Sequence, residues 1–440
     1  MSDYGYCREY GVTDVFHEVD AVYRLEQEKL RCPVTAFDGL RAAGPVVWLE
    51  SQKVFAVTGY HEAQTVLDDA VNFSSANMAG EQATRNYAEM LSRAAALARD
   101  AGRTGGTAPL GDAHPLVLAH ADPPVHTRQR ALVRPSFSAA RVRRAESRIA
   151  ELADGLLDKV VERGRMDVRA EYSDALMSQI VTTELHCPVS DAPTLQRWAR
   201  IFMRAVGRDL TDAELDEMAR ARFEFDEYFD HRIDEVRGQP VEDMLGAIVN
   251  ERVAEDEEPL TRGELLMICE LLLQGGTETS GNTTTNIVHF LAGHPSEADR
   301  LRADPGAIPA FIDEYMRWDQ PDQMLHRTAV NDTEVAGTLI PTGSVVMVHK
   351  AAASRDPRVY DHPGELDYSR PPQRSLVFGG GPHFCLGAAL GKAQIRIALE
   401  RLLARATDIE LAVDESELRK IPSIVLHGFE QLPVRFRTIA

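Results

Sequence analysis

The chain has 440 residues, 44% of them hydrophobic, enough for a sizeable core, yet no apolar run reaches membrane-spanning length: even Leu265 to Leu273 is broken by Glu270. Against 68 acidic residues stand 48 basic ones, and a net charge of −20 argues against nucleic acid or an anionic membrane as partner. Five scattered cysteines (Cys7, Cys32, Cys187, Cys269, Cys385) without C-x-x-C spacing argue against a disulfide framework or a zinc site. The start, Met1 to Glu9, has no basic segment followed by an apolar one, so no signal peptide is expected and the protein is expected to be soluble and cytoplasmic. No linker or internal repeat divides the sequence, which reads as a single, mainly helical domain over residues 1–440.

In chain order, Asp122-Pro123-Pro124 opens a helix that carries His126 and Arg130 four apart on one face, a face suited to an anion. The longest helical pattern runs from about Thr261 to Leu291, where Thr261 and Glu264 form a capping box. In its middle stands Gly275-Gly276-Thr277-Glu278-Thr279-Ser280. Glycine costs about 1 kcal/mol relative to alanine inside a helix, so two in succession need a reason: a packing kink, with Thr279 bonded back to a carbonyl, or a groove opened for a bound group. Glu314 and Arg317 follow at i, i+3 on a helix from about Ile308 to Trp318, a spacing that is usually a surface pair. Two stretches are basic: Arg370 to Arg405 holds six basic residues against Glu400, and Asp122 to Arg144 holds six arginines against Asp122.

Last comes Phe378-Gly379-Gly380-Gly381-Pro382-His383-Phe384-Cys385-Leu386-Gly387, directly before a helical pattern from Ala388 to about Ala404. A cysteine among glycines at a helix N-terminus has backbone N–H donors and a favourable dipole for a thiolate, and Phe378 and Phe384 can shield the sulfur. The alternative is a buried structural cysteine. The loop has the form F-G-x-G-x-H-x-C-x-G, and here the chain resembles the cytochrome P-450 family of heme-thiolate monooxygenases.

The resemblance runs from Trp48, through a segment to Phe73-Ser74-Ser75 similar to the family's N-terminal sheet and first helices, to Leu432-Pro433-Val434. It implies a mainly α fold with small β-sheets, the heme lying between a long distal helix and the proximal cysteine loop and helix. It implies that Cys385 ligates the iron of heme b (iron protoporphyrin IX), that Phe378, Gly387 and Gly276 border the heme, and that His126, Arg130, Arg327 and His383 hold its propionates. The distal pattern [A/G]-G-x-[D/E]-T, matched at Gly275, Gly276, Glu278 and Thr279, makes Glu278 and Thr279 the proton-delivering pair. Glu314, Arg317 and Arg370 become a buried network that supports the loop.

The implied reaction inserts one atom of O2 into a mostly apolar small organic substrate such as a terpenoid, steroid, fatty acid or aromatic. No flavin or nicotinamide fingerprint is present, so NAD(P)H-derived electrons are expected from a ferredoxin or flavodoxin and its reductase, docked on the basic proximal face of a monomer. A peroxide-using peroxygenase is disfavoured by the Glu278-Thr279 pair, and a non-enzymatic heme-thiolate sensor by the lack of a segment for an output domain. The expected pocket draws on Ala76 to Ala121, Arg200 to Glu224, Gln274, Gln323, Met324, Leu325, His427 and Phe429. Three departures stand out: Gln274 before the glycine pair, Pro382 in the loop, and the length of Ala76 to Ala121.

Overall fold

The computed structural model describes residues 15–102, 115–240, 242–251, 258–371 and 373–439. Its axis is the helix Arg262–Gly293, 32 residues long. Thr261 caps it: its hydroxyl accepts from Glu264 N, and the Glu264 carboxylate accepts from Thr261 N at 2.8 Å, the expected box. The helix is buried on most sides, which is why its pattern lacks a clean polar face. Leu265, Ile268, Cys269 and Leu273 pack with the helices Ala192–Met203 and Asp212–Val236. Ile287, Val288 and Leu291 join a second core with the helices Ala139–Leu157, Ile308–Trp318 and Ala388–Arg405. Between them Thr283, Thr284 and Thr285 donate to the carbonyls of Thr279, Ser280 and Gly281 at 2.8–2.9 Å, so their buried hydroxyls are satisfied within the helix itself. No break in the helix accompanies the glycine pair.

A five-stranded sheet lies to one side, in the order β1 (Val46–Leu49), β2 (Val54–Val57), β8 (Val345–Val348), β5 (Leu325–Ala329), β3 (Phe73–Ser74). Only β2 and β8 are parallel; the register sets Arg327 opposite Val346. A three-stranded sheet joins β4 (Arg165–Asp167), β10 (Pro433–Thr438) and β9 (Ala406–Leu411), and β6 (Thr333–Val335) forms a hairpin with β7 (Thr338–Ile340). The long stretch from Ala76 to Ala121 is accounted for by the helix Glu81–Asp100, which packs on Asp212–Val236; residues 103–114 of it lie outside the described residues.

One cysteine expectation is overturned. Cys32 is disulfide-bonded, whereas Cys187, Cys269 and Cys385 are free. Burial in apolar surroundings pushes the Cys187 thiol up to about 12 and raises Cys269 as well, so both are inert space-fillers.

Candidate heme-thiolate active site

The cysteine loop turns tightly before the helix Ala388–Arg405: Cys385 N donates to Phe378 O at 3.0 Å and Gly379 N to Leu376 O at 2.9 Å. Gly381 has φ 59°, and a Cβ there would lie 2.4 Å from Leu67 O. Its glycine therefore serves the close approach of the helix Tyr60–Asp68, not of a ligand. Phe378 and Phe384 flank the loop with ring centroids 6.3 Å apart. The Cys385 thiol opens onto a cavity of about 330 Å³. Surrounding protein desolvates it and raises it, while the Gly387 N–H, Lys350 and Arg130 draw it down.

The middle of the long helix lines the same cavity with Gly275, Gly276, Thr279, Ser280 and Thr283. The two glycines do different work. A Cβ on Gly275 would meet nothing within 4 Å, so this residue widens the cavity, whereas one on Gly276 would lie 2.7 Å from Val181 Cγ2. Thr279 Oγ1 donates to Gly275 O at 3.0 Å. Glu278 does not share this wall. One residue is about 100° of helix, and its carboxylate turns instead toward Arg169, whose Nη2 is 3.3 Å away. Arg169 Nε also donates to Asp174 Oδ2 at 3.1 Å, which Arg200 approaches to 2.8 Å. Burial raises Glu278 and the Arg169 charge opposes it.

At the rim the His126 and His383 rings lie with centroids 4.1 Å apart, tilted by 36°, and Arg130 donates to Phe384 O at 2.6 Å. Arg327 is buried, donates to His326 O at 2.8 Å and does not itself line the cavity. Four buried nitrogens here have no partner: His126 Nδ1, both ring nitrogens of His383, and Arg327 Nη2. Desolvation and neighbouring cations push His383 down to about 3, and desolvation, opposed by Asp122, pushes Arg327 down to about 10. Buried polar groups left in this state are what an anionic ligand satisfies, so the residues present fit the propionates of a heme. His120, pushed down to about 4 by burial and by Arg327, belongs to the same cluster and was not singled out from sequence.

Glu314 accepts from Arg317 Nε and Nη2 at 2.8 and 2.7 Å and from Arg370 Nε at 3.0 Å. Arg317 in turn donates to the carbonyls of Ser354, Pro363 and Glu365, each at 3.0 Å. The i, i+3 pair is thus buried rather than on the surface.

The chain matches the cytochrome P450 family model over residues 110–305 and 307–421. It belongs to the cytochrome P450 family. Cytochrome P450 monooxygenase PikC of Streptomyces venezuelae is 32% identical over 94% of this chain and 93% of its own. A steroid C26-monooxygenase of Mycobacterium tuberculosis is 30% identical over 76% of this chain and 88% of its own. Among solved structures, CalO2 matches with a TM-score of 0.81 at 27% identity, covering 94% of this chain and 98% of that one. The protein is thus a P450 monooxygenase with the P450 fold, and the family implies a heme-thiolate cofactor and the use of O2. Among the described residues no helix is long and apolar enough to cross a membrane.

Several pocket expectations for this P450 are corrected. Of the six residues named singly, only Leu325 lines the cavity. Gln274 Nε2 donates to Tyr87 OH at 2.6 Å and to Glu270 Oε1 at 2.8 Å, so its amide is spent within the protein. Gln323 is fixed by its backbone to Val425 O, and Met324 packs in the core beneath the large sheet. His427 Nε2 lies 3.1 Å from Lys420 Nζ, and the Phe429 ring faces the same ammonium at 3.6 Å. Met78, Leu118 and Ala119 line the cavity from the Ala76 to Ala121 stretch, and no residue from Arg200 to Glu224 does.

The basic proximal run is also less basic than its sequence. Arg370 pairs with Glu314, Arg374 with Asp68, Lys392 with Asp313, Arg396 with Glu146 and Glu400, Arg401 with Asp154, and Arg405 with Asp158. Acids remote in sequence neutralise it, which a count along the chain cannot show.

Proposed function

We propose that this P450 inserts one atom of O2 into a mostly apolar small organic molecule, with Cys385 as the iron ligand and electrons delivered by a ferredoxin or flavodoxin with its reductase. One observation carries the reading: Cys385 and the residues Gly275, Gly276 and Thr279 of the long helix line a single cavity, beside which buried nitrogens of His126, His383 and Arg327 have no partner. Bound there, heme supplies the redox and O–O cleaving chemistry, which an electron-rich thiolate favours. His126, His383, Arg130 and Arg327 would anchor its carboxylates, and Phe378 and Phe384 would flank it at the loop that carries the sulfur. Thr279 holds a proton at the cavity wall, given now to Gly275 O and free to be turned into the cavity. Glu278, tied to Arg169, can reload that hydroxyl only by leaving its ion pair.

Thr279→Ala is therefore expected to leave substrate binding and iron reduction intact while product formed per NAD(P)H falls by roughly tenfold and peroxide rises. Unchanged coupling would remove Thr279 from the mechanism. Turnover supported by NAD(P)H with a surrogate ferredoxin system tests the whole reading; activity with peroxide alone would favour a peroxygenase. The apolar wall, together with relatives named a steroid C26-monooxygenase and a pentalenic acid synthase, supports steroids and terpenoids as the first substrates to screen.

Docking is assigned to Arg134, Arg143 and Arg144, exposed arginines of the second basic stretch, where Arg128 pairs with Glu264 and Arg141 donates to Glu242 O. Reversing all three to glutamate is expected to slow electron transfer from an acidic ferredoxin by about tenfold or more at low salt, with the difference shrinking as salt is added. A salt-independent effect, or none, would move the docking face elsewhere.

A further inference from the structure

Two charged side chains of the cavity wall have no part in the reading above. Lys350 opens the short helix Lys350–Ala353 and is 2% exposed. Its Nζ donates to Asp322 Oδ2 at 3.0 Å and to Val377 O at 3.2 Å. Asp322 stands between the helix Ile308–Trp318 and β5, and both residues border the same cavity as Cys385. Val377 directly precedes Phe378, whose carbonyl receives the Cys385 N–H, so the lysine grips the backbone that carries the cysteine.

Stability gives no reason for this pair. Desolvating the Lys350 ammonium costs several kcal/mol, its partner carboxylate is itself largely covered, and a well-packed apolar pair of similar volume is commonly as stable or more so. The neighbouring wall, with Leu325, Met316 and Val377, is apolar enough to accept one. Asp322 Oδ1 is buried without a partner, which adds to the cost.

We propose that the Lys350–Asp322 pair sets the reduction potential of the iron bound by Cys385, the ammonium favouring the ferrous state and Asp322 fixing it in place while partly offsetting it. The inference rests on the heme-thiolate reading. The step concerned is a one-electron reduction from ferric to ferrous, the electron coming from the ferredoxin or flavodoxin already invoked. That electron makes the site one unit more negative, so a fixed positive charge in a poorly screened wall stabilises the product more than the reactant. Lys350 is a positioning and electrostatic residue here; it touches no reacting atom.

The test is spectroelectrochemical titration of the holoenzyme, with the Soret band of the reduced carbonyl adduct recorded for every variant to show that the thiolate is still bound. Lys350→Gln keeps a donor for Val377 O but loses the charge. It should lower the equilibrium constant for reduction by roughly tenfold, Lys350→Arg should stay within about twofold of the parent, and Asp322→Asn should raise it by roughly threefold, less than the lysine's effect because the carboxylate offsets it only in part. A Lys350→Gln potential equal to the parent's overturns the proposal, as does a Lys350→Arg potential as low as that of Lys350→Gln. Should the single variants fail to fold, the uncharged double variant Lys350→Met/Asp322→Leu still decides: it should reduce less readily than the parent, and an unchanged potential overturns the proposal. A parent enzyme whose carbonyl adduct lacks the thiolate band would refute the ligand reading instead, a result distinguishable from either outcome.

Discussion

Cys385→Ser is expected to lose the red-shifted Soret band of the reduced carbonyl adduct and more than roughly a hundredfold in monooxygenase turnover. A hundredfold is already the upper range for losing a mere supporting partner of a metal ligand, and here the ligand itself goes. Serine keeps the size of the side chain but offers a neutral hydroxyl in place of an anionic sulfur, so it cannot donate electron density to the iron. Burial raises the thiol, and the Gly387 N–H and the charges of Lys350 and Arg130 act against that rise. Persistence of the band would mean that another cysteine binds iron. The free alternatives among the described residues, Cys187 and Cys269, are locked in the apolar core around Leu265 and Leu273.

The second large effect is expected at Glu314. In Glu314→Gln the Arg317 guanidinium, 3% exposed, keeps its three backbone carbonyls but loses its only bidentate carboxylate, and Arg370 loses the same partner. Breaking a buried pair from one side costs about 3–5 kcal/mol, because an uncompensated charge is left behind. For a chain of this length that corresponds to a fall in Tm of about 3–5 °C. The carbonyls that Arg317 holds lie in the 354–365 segment leading to the cysteine loop, so heme loss should accelerate along with unfolding. Thermal unfolding and the rate of heme transfer to apomyoglobin measure both. An unchanged Tm would place the network among dispensable contacts.

Glu314 also marks the boundary of what sequence can say. The Glu-x-x-Arg spacing puts two charges on one helix face, and that much follows from the helical repeat alone; whether the face looks to water or into a core depends on what packs over it. The cysteine loop, the capping box at Thr261 and the span of the helix Ile308–Trp318 were legible because each depends on residues within a few positions of one another. So was the glycine pair, although its two members proved to answer different needs, one to a cavity and one to Val181.

What only the tertiary structure decided involves partners far apart in the chain. Glu278 and Thr279 are adjacent in sequence, but Arg169, more than a hundred residues earlier, takes the first away from the cavity that the second lines. Gln274, open to a substrate on sequence grounds, is claimed by Tyr87. The basic run from Arg370 to Arg405 is neutralised by Asp68, Glu146, Asp154, Asp158, Asp313 and Glu314, and the charged pair of Lys350 and Asp322 reaches the cavity wall from two separate segments. Local hydrogen bonding and helical periodicity act over a turn or two and are written into the sequence directly. Electrostatic pairing and burial act through space, so they are fixed only once the helices have packed.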